Sequence, residues 1–170
     1  MILVISTPIL CRKSSTESIP LSFEFSITSL ITSVKSYRDS INSNIMISAA
    51  VKSHIINAKE RWFQDWRKWI DENIIDFVVP MNYSNNNNDF LQKISLISEN
   101  INSSNYQEKI IMGISLYNQD EFSVVEKILL STLSGYSKVC FFSYNSLKQK
   151  DINFKLIKND YNKRKYLLGE

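Results

Sequence analysis

The side chains best suited to chemistry in this sequence are amides, hydroxyls and aromatic rings that follow short apolar runs. Asn82 and Tyr83 come directly after the run Phe77–Met81. Such groups can hydrogen-bond the hydroxyls of a sugar and stack on its apolar face. We therefore predict a carbohydrate-binding edge; a simple turn, with Asn82 as a turn residue, is the alternative. The other residues that follow apolar runs are Lys52, Ser53, His54, Ser84, Ser115, Tyr117, Ser143, Tyr144 and Asn145.

Carboxylates are scarce at this predicted edge. Glycoside hydrolysis normally uses two, one as the acid and the other as the nucleophile or base. Asp65 follows Gln64 near the start of a helical pattern, and it is the only clear catalytic candidate. Asp76 precedes its strand, so we expect it at the opposite end of the sheet in a structural role. The chain is thus predicted to supply at most one catalytic carboxylate.

Two further groups have competing interpretations. His54 is the only histidine, and it could serve as a substrate-binding or acid–base residue of the same edge. A loop histidine without a catalytic partner is the alternative. The three tryptophans could form a sugar platform, but their helical spacing favours packing in the core. They are Trp62, Trp66 and Trp69.

The elements that must position these residues are strands and helices in alternation. Four runs are apolar on both faces, which favours a parallel sheet covered by helices. These runs are Ile45–Val51, Phe77–Met81, Ile110–Ile114 and Val139–Phe142. Four stripes with helical spacing lie beside them: Ile27, Leu30, Ile31, Val34 and Ile41; Ala58, Trp62, Trp66, Trp69 and Ile70; Phe90, Ile94, Ile97 and Ile101; and Phe122, Val125, Ile128, Leu129 and Leu133.

This alternation predicts an α/β fold with a partial (β/α)8 TIM barrel. A unit of about 30 residues matches one step of such a barrel, whose usual length is about 250 residues. Four units would make its C-terminal half, over residues 25–147. Residues 1–24 remain unassigned, and residues 148–170 suggest a terminal helix and tail. An open four-stranded parallel sheet is the alternative, although its edge strands would need cover.

Composition excludes several other classes. The net charge of +3 is weak and dispersed, so no nucleic-acid partner is predicted. Cys11 and Cys140 lack the spacing and the histidine companions of a metal site. We therefore expect no metal and no cofactor. No apolar run is long enough for a membrane span, and the N-terminal residues give no convincing signal peptide, so the compartment stays unassigned.

Several segments resemble one known family when taken in order. Gln64-Asp65-Trp66 is followed by Asp76-Phe77-Val78-Val79-Pro80-Met81-Asn82-Tyr83, and this pair of segments is the most specific part. Together with three weaker segments it resembles the glycosyl-hydrolase-like 10 family over residues 25–147. That is a bacterial family of (β/α)8 barrels, often secreted or envelope-associated. The weaker segments are Ile47–Val51, Gly113-Ile114 and Phe142–Leu147.

The resemblance implies strands five to eight of the barrel and hydrolysis of O-glycosyl bonds in a carbohydrate. It also implies substrate-pocket roles for the matching positions, which are Gln64, Asp65, Asn82, Tyr83 and Tyr144. The family's preceding strand carries an Asp-Tyr-Ile-Arg-Tyr-Pro-like motif, and residues 1–20 do not supply it.

Two functions are therefore expected to compete. The first is a fragment of a glycoside hydrolase that is inactive alone. The alternative is a non-catalytic carbohydrate-binding or half-barrel assembly module, whose partner would be a separate N-terminal half or a second copy. A third hypothesis is an unrelated small α/β protein.

Overall fold

Parallel strands and helices alternate along most of the chain. The computed structural model describes residues 2–6, 21–41, 44–101, 104–117, 119–143 and 154–167. The strands are β1 (Ile2–Ser6), β2 (Met46–Lys52), β3 (Phe77–Asn82), β4 (Met112–Ser115) and β5 (Val139–Phe142). The helices are α1 (Leu21–Ile41), α2 (Ile55–Trp62), α3 (Trp66–Asp71), α4 (Asn87–Asn100), α5 (Ser104–Gln107), α6 (Glu121–Leu133) and α7 (Phe154–Leu167).

The five strands form one parallel sheet in the order β1-β2-β3-β4-β5. The α/β class and the parallel sheet are confirmed, and each of the four predicted apolar runs overlaps a strand. The sheet has one strand more than predicted, since β1 lies in the segment that the sequence left unassigned. A five-residue strand with no helical stripe close behind it gives little periodic signal.

The helices cover one face of the sheet, which we call the helix face. The pairing register places Ala49 beside Val78 and Met112 beside Val139. These four residues belong to the main hydrophobic cluster with the helix residues. Every described strand residue in the clusters lies on this face, because side chains alternate along a strand. The opposite face, which we call the second face, carries Ala50, Lys52, Val79, Met81, Gly113, Ser115, Cys140 and Phe142.

Two of the three tryptophans lie in the core, as predicted. Trp66 and Trp69 are fully buried, and the Trp69 indole donates to Thr28 Oγ1 of α1 at 3.1 Å. Trp62 is only partly buried. The predicted single stripe is broken into α2 and α3 because Phe63 adopts a left-handed conformation between them.

Two helical stripes were partly wrong in phase. In α1, Ile31 is buried but Leu30 is 60% exposed. In α6, Phe122 and Leu133 are both 55% exposed, whereas Val124 and Lys127 are buried. Helix α6 packs between α4 and α7 as well as over β4, so its buried surface is set by several neighbours and not by one stripe.

Asp76 holds three elements together at the amino end of the sheet. Its Oδ2 accepts a hydrogen bond from the Ile47 backbone N–H at 2.5 Å and from Arg38 Nη1 at 3.1 Å. The same Arg38 nitrogen donates to the Ile45 carbonyl. These bonds join α1, β2 and the start of β3, so the predicted structural role of Asp76 is confirmed.

Candidate functional site

Three aromatic rings meet at the carboxyl end of the sheet. The Tyr83 and Tyr117 ring centroids are 6.0 Å apart with an interplanar angle of 88°. The Tyr83 and Phe142 centroids are 5.6 Å apart and tilted by 55°. Phe142 belongs to the second face, and the ring contacts bring Tyr83 and Tyr117, which follow the ends of β3 and β4, to it. We call Tyr83, Tyr117 and Phe142 the aromatic edge cluster.

Gly113 allows the Phe142 ring to lie close to the sheet. A Cβ atom at this position would lie 3.2 Å from Phe142 Cε2 and 2.8 Å from the Pro80 carbonyl oxygen. Glycine is therefore needed where the Phe142 ring lies beside β4 and where β4 approaches β3.

Tyr83 is the half-buried centre of the cluster. Removal of its phenol from water raises its pKa to about 12, and the nearby Tyr117 and Cys140 contribute further. At neutral pH its hydroxyl is therefore protonated, so it can donate and accept hydrogen bonds but is a poor general base. This chemistry suits the binding of a neutral polar ligand.

Gln64 lies at the same edge of the sheet, as predicted. Its Oε1 accepts the backbone N–H of Lys52, the last residue of β2, at 2.9 Å. The left-handed Phe63 turns the chain back after α2 and so brings Gln64 to the strand end. The Lys52 ammonium lies 4.6 Å from the Trp62 ring centroid. The Gln64 amide thus secures the loop above β2.

Asp65 forms contacts that organise α2 and α3. Its Oδ1 accepts the Lys68 backbone N–H at 3.3 Å as the N-cap of α3. Its Oδ2 lies 2.8 Å from Lys59 Nζ. The residue is only 9% exposed. These contacts explain the position of Asp65 as a helix cap, and neither of them is with a second carboxylate.

Asn82 points to the helix face, away from the aromatic edge cluster. It is fully buried, and its Nδ2 donates to the Phe90 carbonyl of α4 at 3.0 Å. Ser84 Oγ donates to Asn82 Oδ1 at 2.9 Å, and Lys93 Nζ donates to Ser84 at 2.6 Å. The pKa of Asp89 is lowered by a hydrogen bond to Ser84 and by Lys93. Asn82 therefore anchors the loop between β3 and α4.

His54 is the N-cap of α2, where its Nδ1 accepts the Asn57 backbone N–H at 3.3 Å. It lines a cleft of about 280 Å³ together with Asp89, Lys93 and Glu99 of α4. That cleft lies between α2 and α4, so the structure does not bring His54 to the aromatic edge cluster.

A second cleft, of about 180 Å³, lies beside Gln64, Asp65 and Trp66 and reaches Asn100 at the end of α4. It is a groove between helices and likewise belongs to the helix layer. Tyr144, the remaining predicted substrate-binding residue, lies outside the described residues.

Two residues of the edge were not singled out from the sequence. Phe142 was counted only as strand core, although its position at the carboxyl end of a strand was a usable signal. Gln119 is 8% exposed, and its Nε2 donates to Ser115 at both the backbone oxygen (2.9 Å) and Oγ (2.8 Å). No periodic pattern marks such a residue, because its importance comes from its burial.

Two structural absences apply to the part of the chain that the structure describes. It contains no group of three or more His, Cys, Asp or Glu side chains arranged to hold a metal ion. None of its helices combines the length and apolar character needed to cross a bilayer.

Comparison with family models, curated proteins and solved structures gives no match for this chain.

Proposed function

We propose that this chain is part of a glycosyl-hydrolase-like (β/α)8 barrel whose sheet edge binds carbohydrate, and that it does not hydrolyse glycosides alone. The observation that carries the proposal is the aromatic edge cluster at the carboxyl ends of β3, β4 and β5. In barrels of this kind, ligands bind at that end of the strands.

The strand order supports the barrel. Crossovers between parallel strands are almost always right-handed. When strands also follow one another in spatial order, every helix falls on the same face, which is the arrangement found for the clustered residues. A doubly wound open sheet instead reverses its strand order and carries helices on both faces. Sequential order with one covered face is typical of an arc of a barrel, here five strands in the described residues.

Sugar recognition is supported by the chemistry of the edge. The rings offer apolar faces, and the protonated Tyr83 hydroxyl can donate and accept hydrogen bonds. Binding sites for small molecules combine apolar and aromatic walls with a few placed polar groups. The resemblance carried by Gln64-Asp65-Trp66 and the segment ending in Tyr83 points to the same class of ligand.

The carboxylates argue against independent hydrolysis. Asp65 is held as a helix cap and by Lys59. Strand β1 lies beside β2, where the resemblance puts the family's Asp-Tyr-Ile-Arg-Tyr-Pro-like strand, but it reads Ile-Leu-Val-Ile-Ser. An acid and a nucleophile or base would both be required. Asp65 by itself would fill at most one of these two roles.

A binding assay paired with a turnover assay tests this proposal. The full chain is applied to an array of defined oligosaccharides, and every glycan that binds is incubated with it and checked for released reducing ends. We expect binding without turnover. Turnover by the wild-type chain that disappears in Asp65→Asn, with binding retained, would instead establish a self-sufficient hydrolase. Binding to no glycan would contradict the proposal.

Half-barrel assembly is a second candidate, favoured by the composition of the second face. Met46 is 44% exposed there, and Met81, Cys140 and Phe142 are only partly buried, whereas Phe77 and Val79 of the same face are buried. The partner proposed is a second copy or a separate N-terminal half that continues the barrel. Sedimentation of the chain at increasing concentration should show association. A concentration-independent monomer that unfolds cooperatively would rule out assembly with a second copy.

A further inference from the structure

Tyr117 presents an exposed ring at the carboxyl edge of the sheet. It is 49% exposed, while its neighbours Tyr83 and Phe142 are partly buried. The Tyr83 ring packs perpendicular to the Tyr117 ring and holds it from one side. An aromatic ring that is braced from behind yet open to solvent is suited to stacking against a ligand.

Gln119 adds an unpaired acceptor close to this ring in the chain. Its amide nitrogen is engaged by Ser115, but its Oε1 is buried and has no donor among the described residues. A buried carbonyl oxygen without a donor is disfavoured, because it has given up its hydrogen bonds to water. Since Ser115 pairs with Phe142 across the sheet, Gln119 belongs to the same strand end as the cluster.

We propose that Tyr117 is the stacking platform of a pyranose-binding subsite, and that Gln119 accepts a hydroxyl of the bound ring. This inference rests on the proposed carbohydrate-binding function and assigns it to particular residues. A pyranose fits because it has a C–H face for the Tyr117 ring and hydroxyls around its rim for the Gln119 oxygen. Because that oxygen is buried, the Gln119 side chain must turn outward when the ligand binds.

The uncharged groups Tyr83 and Gln119 support this ligand class, whereas the charged Lys52 at the end of β2 lies over the Trp62 ring. Tyr83 keeps its proton at neutral pH, and the contacts described for Gln119 are to the Ser115 hydroxyl and carbonyl. An anionic ligand would need paired cationic donors. A neutral sugar requires only hydrogen bonds and an apolar surface.

The test compares Tyr117→Ala with two controls on the full chain. The ligand is the glycan bound most strongly on the oligosaccharide array, and affinities are measured by isothermal titration calorimetry. Tyr117→Ala should weaken binding by at least about tenfold, since it removes the stacked ring. Tyr117→Phe keeps the ring, and Tyr37→Ala removes a tyrosine of α1 that is 67% exposed; both should bind within about twofold of wild type.

The role of Gln119 is tested from the side of the sugar. Monodeoxy derivatives of the same glycan are titrated against the wild-type chain and Gln119→Met. For the wild-type chain, one derivative should bind at least about tenfold more weakly than the parent glycan. For Gln119→Met, that derivative and the parent glycan should bind with equal affinity. Loss of the same hydroxyl in both proteins with equal effect would overturn the role of Gln119.

Proton NMR of the sugar with the wild-type chain tests the subsite without relying on the folding of a variant. Stacking on Tyr117 should shift the C–H protons of one sugar face upfield in the proton NMR spectrum. Unshifted sugar protons, or wild-type affinity in Tyr117→Ala, would overturn this subsite while leaving carbohydrate binding intact. Failure of the wild-type chain to bind any glycan would overturn the proposed function together with the subsite.

Discussion

Gly113→Ala tests whether β4 is packed as tightly against its neighbours as the geometry indicates. The new methyl group would lie 2.8 Å from the Pro80 carbonyl oxygen and 3.2 Å from Phe142 Cε2. The Phe142 ring can rotate away, but the Pro80 oxygen is backbone of the adjacent strand. Relieving the main strain would therefore require β3 and β4 to move apart.

The expected magnitude follows from two opposing effects. Overpacking of this kind costs about 1–3 kcal/mol. Replacing glycine by alanine returns about 0.4–1 kcal/mol, because the unfolded chain becomes less flexible. Because the 2.8 Å contact is with a backbone oxygen, the upper part of the overpacking range applies, about 2–3 kcal/mol. The net destabilisation should then be about 1–2.6 kcal/mol, or a fall in melting temperature of roughly 2–10 °C for a chain of this size.

The assay is urea unfolding followed by tryptophan fluorescence, since the buried Trp66 and Trp69 report on the core. Phe142→Leu and the double variant with Gly113→Ala complete a mutant cycle. The Phe142 substitution should cost less in the alanine background, because there it also removes one of the two close contacts that the new methyl group makes. Wild-type stability in Gly113→Ala, or strictly additive effects, would refute this description of the edge.

Three further predictions concern the polar contacts. Asp76→Ala should lower the free energy of unfolding by about 1.5–3 kcal/mol, since it removes charge-assisted bonds to Arg38 and the Ile47 N–H. The control is Glu72→Ala, which removes an exposed pair with Lys68 and should change it by less than about 1 kcal/mol in the same urea titration. Equal effects of the two substitutions would contradict the reasoning. Asp65→Ala removes a helix cap and should lower the free energy of unfolding by about 1 kcal/mol. Asp65→Asn keeps an oxygen for the Lys68 N–H and should lower it by less. Equal unfolding midpoints for the two variants would count against the capping role. The pKa of Tyr83 is raised from 10.0 to about 12 in the folded chain, so the unfolded state loses this proton first as pH rises and the free energy of unfolding falls between these pH values. In Tyr83→Phe, unfolding measured as a function of pH should show a shallower fall. An unchanged slope would exclude Tyr83 as the source of the fall.

Polar residues at strand ends show why the sequence indicated the edge of the sheet better than the site. His54, Asp65 and Asn82 all follow or flank apolar runs, as binding residues would. In the structure they cap α2, cap α3 and anchor α4. A side chain that accepts a backbone N–H and one that awaits a ligand have the same sequence signature. Only the position of the neighbouring helix distinguishes them.

By itself, the sequence determined that this protein is a parallel α/β fold. Apolar runs such as Phe77–Met81 must be buried on both faces, and stripes such as Phe90, Ile94 and Ile97 must face them. The tertiary structure decided which side chains meet. Strand pairing set Phe142 beside Ser115 and so brought it to Tyr83 and Tyr117, which are far apart in the chain. Pairing register depends on contacts between distant segments, and local periodicity carries no information about them.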